Sequence, residues 1–439
     1  MTAESNRDAN RQTQNSRREF LRTAAAASAG AALNSFVGGT WFGQLAAAAE
    51  TAGVTAGAST ARKAKRCILL YMGGGASHVD TFDPKPGNGE FKAIPTAVPG
   101  LRVAENLPKL AGLMKDIAVI RGMSTNEGSH NRAAYLAHTG YRAGVGGVTH
   151  PTLGSVVSAT LGVKDPEVPN FVRIDVGRGG IDNPGYVGPA HAPLLVHEPT
   201  KGVENIKPLA GMAEFDRSFA LLDDLDSDFL KRKAAPVAQA HRETYSAAAR
   251  LMHSAKVKAF DLSAEPAAGR DHYGTGVFPE ACLLARRLVE AEVPFVEIDF
   301  GDWDTHKDNF PRVKRLSEQL DHGMSALLTD LKQRGLLDDT LVVWMGDFGR
   351  TPDVRGNGRG HWPAAWTTLL CGAGLKTGQV IGRTDKQGGA VEDRKVAIND
   401  FLATVCKALG IDHTREFETR AGRPMRLVAK GENVIRELF

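Results

Sequence analysis

Apolar residues follow two rhythms along this chain. Short continuous runs, Cys67 to Met72, Ile117 to Ile120, Phe171 to Val176, Phe295 to Phe300, Leu341 to Met345 and Thr367 to Cys371, end in glycine or polar residues, as strands buried on both faces do. Elsewhere apolar positions recur at spacings of three and four, the period of an amphipathic helix. The clearest case runs from Phe310 to Arg334, where Val313, Leu316, Leu320, Met324, Leu327, Leu328 and Leu331 form one stripe. Asn309 or Pro311 can open that helix and Gly335 can end it. Further helices are predicted over 132–138, 153–161, 238–260, 280–291 and 398–409. Strands alternating with helices predict an α/β fold: a mostly parallel central sheet flanked by helices on both faces, with ligands beyond the carboxyl ends of the strands. Residues 177–236, rich in glycine, proline and acids, break the alternation and are expected to form an irregular insertion or cap.

The amino-terminal stretch reads as an address rather than as structure. Arg17-Arg18 precedes Phe20-Leu21 and then a mildly apolar run rich in alanine and glycine, the order of a twin-arginine export signal. Small residues at 46–49 offer cleavage sites, so residues 1–49 are expected to be the signal, 50–65 a linker and 66–439 the fold, located in the periplasm or cell exterior. No other run approaches the roughly 18 to 20 apolar residues that span a bilayer. With 42% hydrophobic and 24% charged residues among 439, disorder and a polytopic membrane protein are excluded. A formal net charge of +4 is too small to suggest a nucleic-acid binder. Cys67, Cys282, Cys371 and Cys406 lie far apart in apolar stretches and are expected to be buried free thiols.

Chemistry concentrates after the later strands. Gly301 to Asn309 crowds Asp302, Asp304, His306 and Asp308 at a strand end, a composition suited to cation ligation, with Asp302 and His306 spaced to meet one ion. The alternative is helix capping by Asp304 or Asp308, with His306 at the surface. The next strand ends at Asp347, followed by Arg350, Arg359 and His361 in glycine-rich sequence. An acid, two arginines and a histidine there match a metal site beside an anion site, where Arg350 or Arg359 could grip a phosphate or sulfate. The alternatives are an Arg350–Asp347 structural pair and a His361 stacked on Trp362 in a turn. Asp271-His272 reads as helix capping, and Tyr186, His191 and His197 could line an entrance.

From Cys67 to the end the series resembles the exported bacterial family known as domain of unknown function 1501 (DUF1501), itself similar to the alkaline phosphatase and sulfatase superfamily. The resemblance implies an alkaline phosphatase-like fold with Asp302, His306, Asp347 and His361 as ligands of one or two divalent cations, zinc or manganese ahead of calcium. It implies a nucleophile at a helix start within 124–140, with Ser129, Ser124 or Thr125 available, His130 as ligand or proton donor, and Arg132 steadying the anion. N-capping is the alternative for Ser129. Two positions depart from the superfamily. Gly73-Gly74-Gly75 stands where a strand-end aspartate belongs, leaving His78, Asp80 or Asp83 as substitutes, and Phe348 stands where a histidine follows the acid. The expected function is an exported metal-dependent hydrolase of phosphate or sulfate esters, with catalytic Ser129, His130 and Arg350 and substrate-binding Arg132 and Arg359. The rivals are a non-catalytic envelope protein that binds a sulfated or phosphorylated glycan or a protein partner, and a hydrolase without a protein nucleophile.

Overall fold

The computed structural model describes residues 64–177, 181–232, 236–419, 422–429 and 433–439; the segment expected to be a signal lies outside them, as does nearly all of the expected linker. Eight strands form the central sheet: β1 (Arg66–Met72), β2 (Ile117–Met123), β3 (Phe171–Asp175), β4 (Leu194–Val196), β5 (Phe295–Asp299), β6 (Thr340–Gly346), β9 (Trp366–Gly372) and β10 (Gln379–Ile381), with a two-stranded hairpin of β7 (Gly349–Arg350) and β8 (His361–Trp362) between β6 and β9. The order across the sheet is β10-β2-β9-β6-β1-β5-β3-β4. Every pairing is parallel except those of β9, which runs against both β2 and β6.

The longer helices among the described residues are α1 (His130–Thr139), α2 (Leu153–Leu161), α3 (Met212–Arg232), α4 (Pro236–His253), α5 (Val277–Glu290), α6 (Asn309–Gln333) and α7 (Ile398–Ala408). The sheet is covered on both sides, and β1 shows how. Ile68, Leu70 and Met72 pack in one core with Leu284 of α5 and Leu320 of α6, while Cys67, Leu69 and Tyr71 pack in the other with Val157 of α2 and Phe401 of α7. Continuous hydrophobicity is what a strand with two buried faces requires, and alternate residues stabilise opposite layers. The α6 stripe is buried along its length, and Gly335, at φ 67°, follows its end.

The insertion is more regular than expected. It contributes β4 to the sheet edge and the 21-residue helix α3, none of whose residues is buried. Leu221, Leu225 and Phe229 remain exposed at spacings of four. Asp271-His272 lies at the end of a short helix, Ala267–Tyr273, rather than at a helix start. All four cysteines are buried and free. Among the described residues no helix is long and apolar enough to cross a membrane.

Candidate metal centre

Topology gathers the polar residues at one edge. β1, β2, β5 and β6 point the same way, so the loops after β2, β5 and β6 all emerge beyond the same edge of the sheet. The loop after β2 leads to His130 at the start of α1, the loop after β5 carries Asp304 and His306, and β6 is followed at once by Asp347. Because β9 is reversed, the residues preceding it emerge there too, which brings in His361.

The result is one carboxylate oxygen ringed by imidazoles. Asp304 Oδ1 lies 3.4 Å from His130 Nε2, 3.2 Å from His306 Nε2 and 3.5 Å from His361 Nε2. The Nε2 atoms of His306 and His361 are 2.8 Å apart. His130, Asp304 and His361 form a group able to hold a metal ion. Two imidazoles are oriented from behind. His130 Nδ1 is 2.5 Å from Asp347 Oδ2, and the Tyr71 hydroxyl donates to the other Asp347 oxygen at 2.5 Å. His361 Nδ1 is 2.7 Å from the Gly128 carbonyl. A ring whose Nδ1–H donates backwards presents the Nε2 lone pair forwards, as imidazole ligands do. His130 Nε2 is buried without a hydrogen-bond partner.

Electrostatics follow the same geometry. With no cation bound, the facing Asp304 carboxylate and then Asp347 raise the His130 pKa to about 9. Burial pushes the Asp304 carboxyl up, but His130 and the Arg350 guanidinium outweigh it and hold the group below the usual carboxylate range. Burial lowers the His361 pKa. Burial, and then Asp347, pushes the Tyr71 phenol well up, so it stays a donor.

The structure brings together His130, His306, His361 and Asp347 among the expected site residues, and sets others apart. Asp302 is outside the cluster; its carboxylate lies 3.1 Å from an Arg312 nitrogen and 3.0 Å from an Arg315 nitrogen. Asp304 takes the place expected of Asp302, because Asp302 has a left-handed backbone, φ 76°, and Trp303 is buried between the two. Asp347 backs His130 through its Oδ2 contact with Nδ1. Arg350 is fully buried, donating to the Gly74 and Gly75 carbonyls and, at 2.6 Å, to Asp304, so it positions Asp304 rather than pairing with Asp347 or facing a ligand. Gly74 is required there: at φ 98°, an added Cβ would meet the Asp304 backbone nitrogen at 2.5 Å. Arg359 is buried in a two-pronged pair with Asp80 and donates to the carbonyls of Thr351, Pro352 and Asn88.

Arg132 is exposed and bonded to Glu127. Ser129 is the N-cap residue of α1, yet its side chain makes no capping bond. His78 bonds the Gly388 carbonyl and Asp83 bonds Thr384, so neither they nor Asp80 fills the strand-end position in the cluster. Phe348 lies 4.9 and 4.8 Å from the ring centroids of His130 and His361, an apolar wall beside the cluster. Tyr186 bonds Arg426 and His191 bonds Ser158; neither lines the cleft that opens from the cluster. That cleft has a volume of about 870 Å³ and runs from His130 and Asp304 past Asp302 and Arg315 to Gln319. Sequence reasoning missed Asp304 at the centre of the cluster and Tyr71 as the indirect support of His130 through Asp347. The signal for Asp304 was the apolar Trp303, which separates it from Asp302; for Tyr71 it was a hydroxyl near the end of an otherwise apolar strand.

The chain belongs to the family described as protein of unknown function (DUF1501), which matches residues 64–439. No curated protein matches by sequence. Among solved structures it is similar to a sulfatase from Pseudoalteromonas sp., at 13% identity and a TM-score of 0.40, covering 80% of this chain and 68% of that one. It is similar to the alkaline phosphatase of the Antarctic bacterium TAB5, at 12% identity and 0.39, covering 80% and 99%. It is similar also to the phosphonate monoester hydrolase of Agrobacterium radiobacter, at 13% identity and 0.33, covering 79% and 74%.

Proposed function

We propose that the chain holds a divalent cation with His130, Asp304 and His361, with His306 in reach as a further donor, and hydrolyses a phosphate or sulfate ester with water as the attacking group. The observation that carries this reading is the buried, unpartnered Nε2 of His130, aimed at Asp304 by a backing Asp347. A buried nitrogen left without a partner costs stability unless something occupies its lone pair. Two separations of 3.4 and 3.5 Å fit the roughly 3.3 Å edge of a tetrahedron of ligands at 2.0–2.1 Å. A nitrogen-rich donor set favours zinc or manganese over calcium, which prefers six to eight oxygens.

A cation there would supply Lewis-acid chemistry, polarising an ester and lowering the pKa of water from about 15.7 toward 7. The chain's own part is to hold His130 through Asp347 and Tyr71, His361 through Gly128, and Asp304 through Arg350. Among the described residues no hydrogen bond joins Ser124, Thr125 or Ser129 to the cluster, which favours water over a protein nucleophile. The glycines at 73–75, where a strand-end aspartate is missing, favour a second reading, a binder of sulfated or phosphorylated glycans without turnover. Export through the Arg17-Arg18 segment belongs to either reading.

Metal analysis of the purified full chain tests the proposal. About one zinc or manganese per chain is expected, falling at least tenfold in affinity in His130→Ala. An unchanged content in that variant overturns the site. Turnover of aryl phosphates or sulfates, lost with a chelator and restored by zinc or manganese, separates the hydrolase from the binder.

A further inference from the structure

We infer that Arg315 is the anion grip of the cleft and that Asp302 occupies it as an internal stand-in for the anionic group of the substrate. The inference rests on the proposed reading of the cluster as a cation-dependent ester site and assigns the residue that selects for a charged ester. The three arginines expected to do this are engaged elsewhere: Arg350 and Arg359 are sealed from solvent with carbonyl and carboxylate partners, and Arg132 is paired with Glu127 and does not line the cleft. Arg315 differs. It lines the same cleft as His130 and Asp304, its side chain is 61% exposed, and its partner is one oxygen of Asp302 at 3.0 Å.

The partner is built to be displaced. Asp302 is itself 62% exposed and lines the cleft. A carboxylate–guanidinium pair in that much water gains little, because solvent screens the attraction and two side chains must be held still. A phosphate or sulfate dianion offers more charge and two oxygens in the geometry of the guanidinium fork, so it competes well for the same nitrogens. Arg312 is held otherwise: one nitrogen donates to the Asp304 carbonyl and another to the Asp302 carbonyl and carboxylate, which ties it to the loop backbone. That loop in turn carries Asp304, so Arg312 ties the helix bearing the grip to the loop bearing the cation ligand. Gln319, one helical turn beyond Arg315, extends the polar face of α6 along the cleft. The left-handed backbone of Asp302, φ 76°, is a strained conformation for a residue with a side chain, and it places this carboxylate against Arg315.

The test is calorimetric titration of inorganic phosphate and of inorganic sulfate onto the full chain in excess zinc, with zinc content measured in parallel. Arg315→Ala is expected to weaken anion binding about tenfold, the loss of charge-assisted hydrogen bonds. Asp302→Asn keeps a residue type that tolerates positive φ and removes the competitor, so binding is expected to tighten several-fold. Arg315→Lys should recover only part of the loss, since an ammonium has no fork. Anion binding unchanged in Arg315→Ala, or weakened in Asp302→Asn with zinc content intact, overturns the inference. So does loss of zinc in Arg315→Ala, which would make the residue a support of the cation site. A wild-type chain that binds no zinc but binds phosphate through Arg315 sinks the cation reading and leaves the grip standing.

Discussion

Two aspartate–arginine pairs in this molecule have the same chemistry and opposite settings. Asp80 and Arg359, just ahead of β8, are 1% and 0% exposed and meet through two nitrogens at 2.7 and 2.9 Å. Asp302 and Arg315, at the cleft, are 62% and 61% exposed and meet through one. In the first pair every remaining guanidinium donor reaches a backbone carbonyl, so the arginine staples the residues around 88, 351 and 352 together. In the second, water can replace either partner. The difference teaches that an arginine near a site is a ligand grip only where its neighbours leave it something to give.

The sharpest way to break the comparison is to remove one buried charge. Arg359→Ala should destabilise the chain by about 3–5 kcal/mol in urea unfolding, because Asp80 is left charged and sealed from water. Replacing both partners together, as Asp80→Asn with Arg359→Met, should cost less than the single change, since no unpaired charge remains. A smaller effect comes from the cluster itself in the absence of any divalent ion. His130 is raised from 6.5 to about 9 by the facing carboxylates of Asp304 and then Asp347. A group raised on folding contributes its stability in full below its unfolded value, and that contribution is lost as pH rises through the folded value. In chelator, the melting temperature should therefore fall between pH 7 and 9.5, and His130→Gln should flatten that fall. With zinc present the direction reverses, because the ligand must lose its proton first and binding tightens as pH rises. The smallest effect is expected at the exposed pair. Arg315→Ala should change unfolding stability by less than about 1 kcal/mol, the range of exposed ion pairs.

Much of this arrangement is legible in the sequence, and the losses have physical causes. Continuous apolar runs located β1, β2, β3, β5, β6 and β9 to within a few residues, and the stripe from Val313 to Leu331 located α6. Strand ends pointed to Asp347 and to the 301–309 loop because a parallel sheet places its loops there. The two-residue error between Asp302 and Asp304 arose because spacing does not reveal a left-handed backbone at one position. The arginines misled for another reason: their acceptors, the carbonyls of Gly74, Gly75 and Asn88, lie more than 250 residues away in sequence. Helix α3 was hidden by composition, although Phe215, Phe219 and Leu222 carried its period; acidic residues made the segment look irregular.

The reversal of β9 also bears on the order in which the chain becomes competent. Donors that follow their strands, at 130 and 304, are synthesised before the strand that completes the neighbourhood, while the donor at 361 arrives ahead of its own strand. A nascent chain stopped short of that point has two of the three proposed donors and none of the hairpin that aims the last. Such pairings between distant parts of a chain form late, after the entropy of closing large loops has been overcome. On the proposed reading, metal uptake would be tied to the final stage of assembly, and a half-made chain would have little means of sequestering an ion.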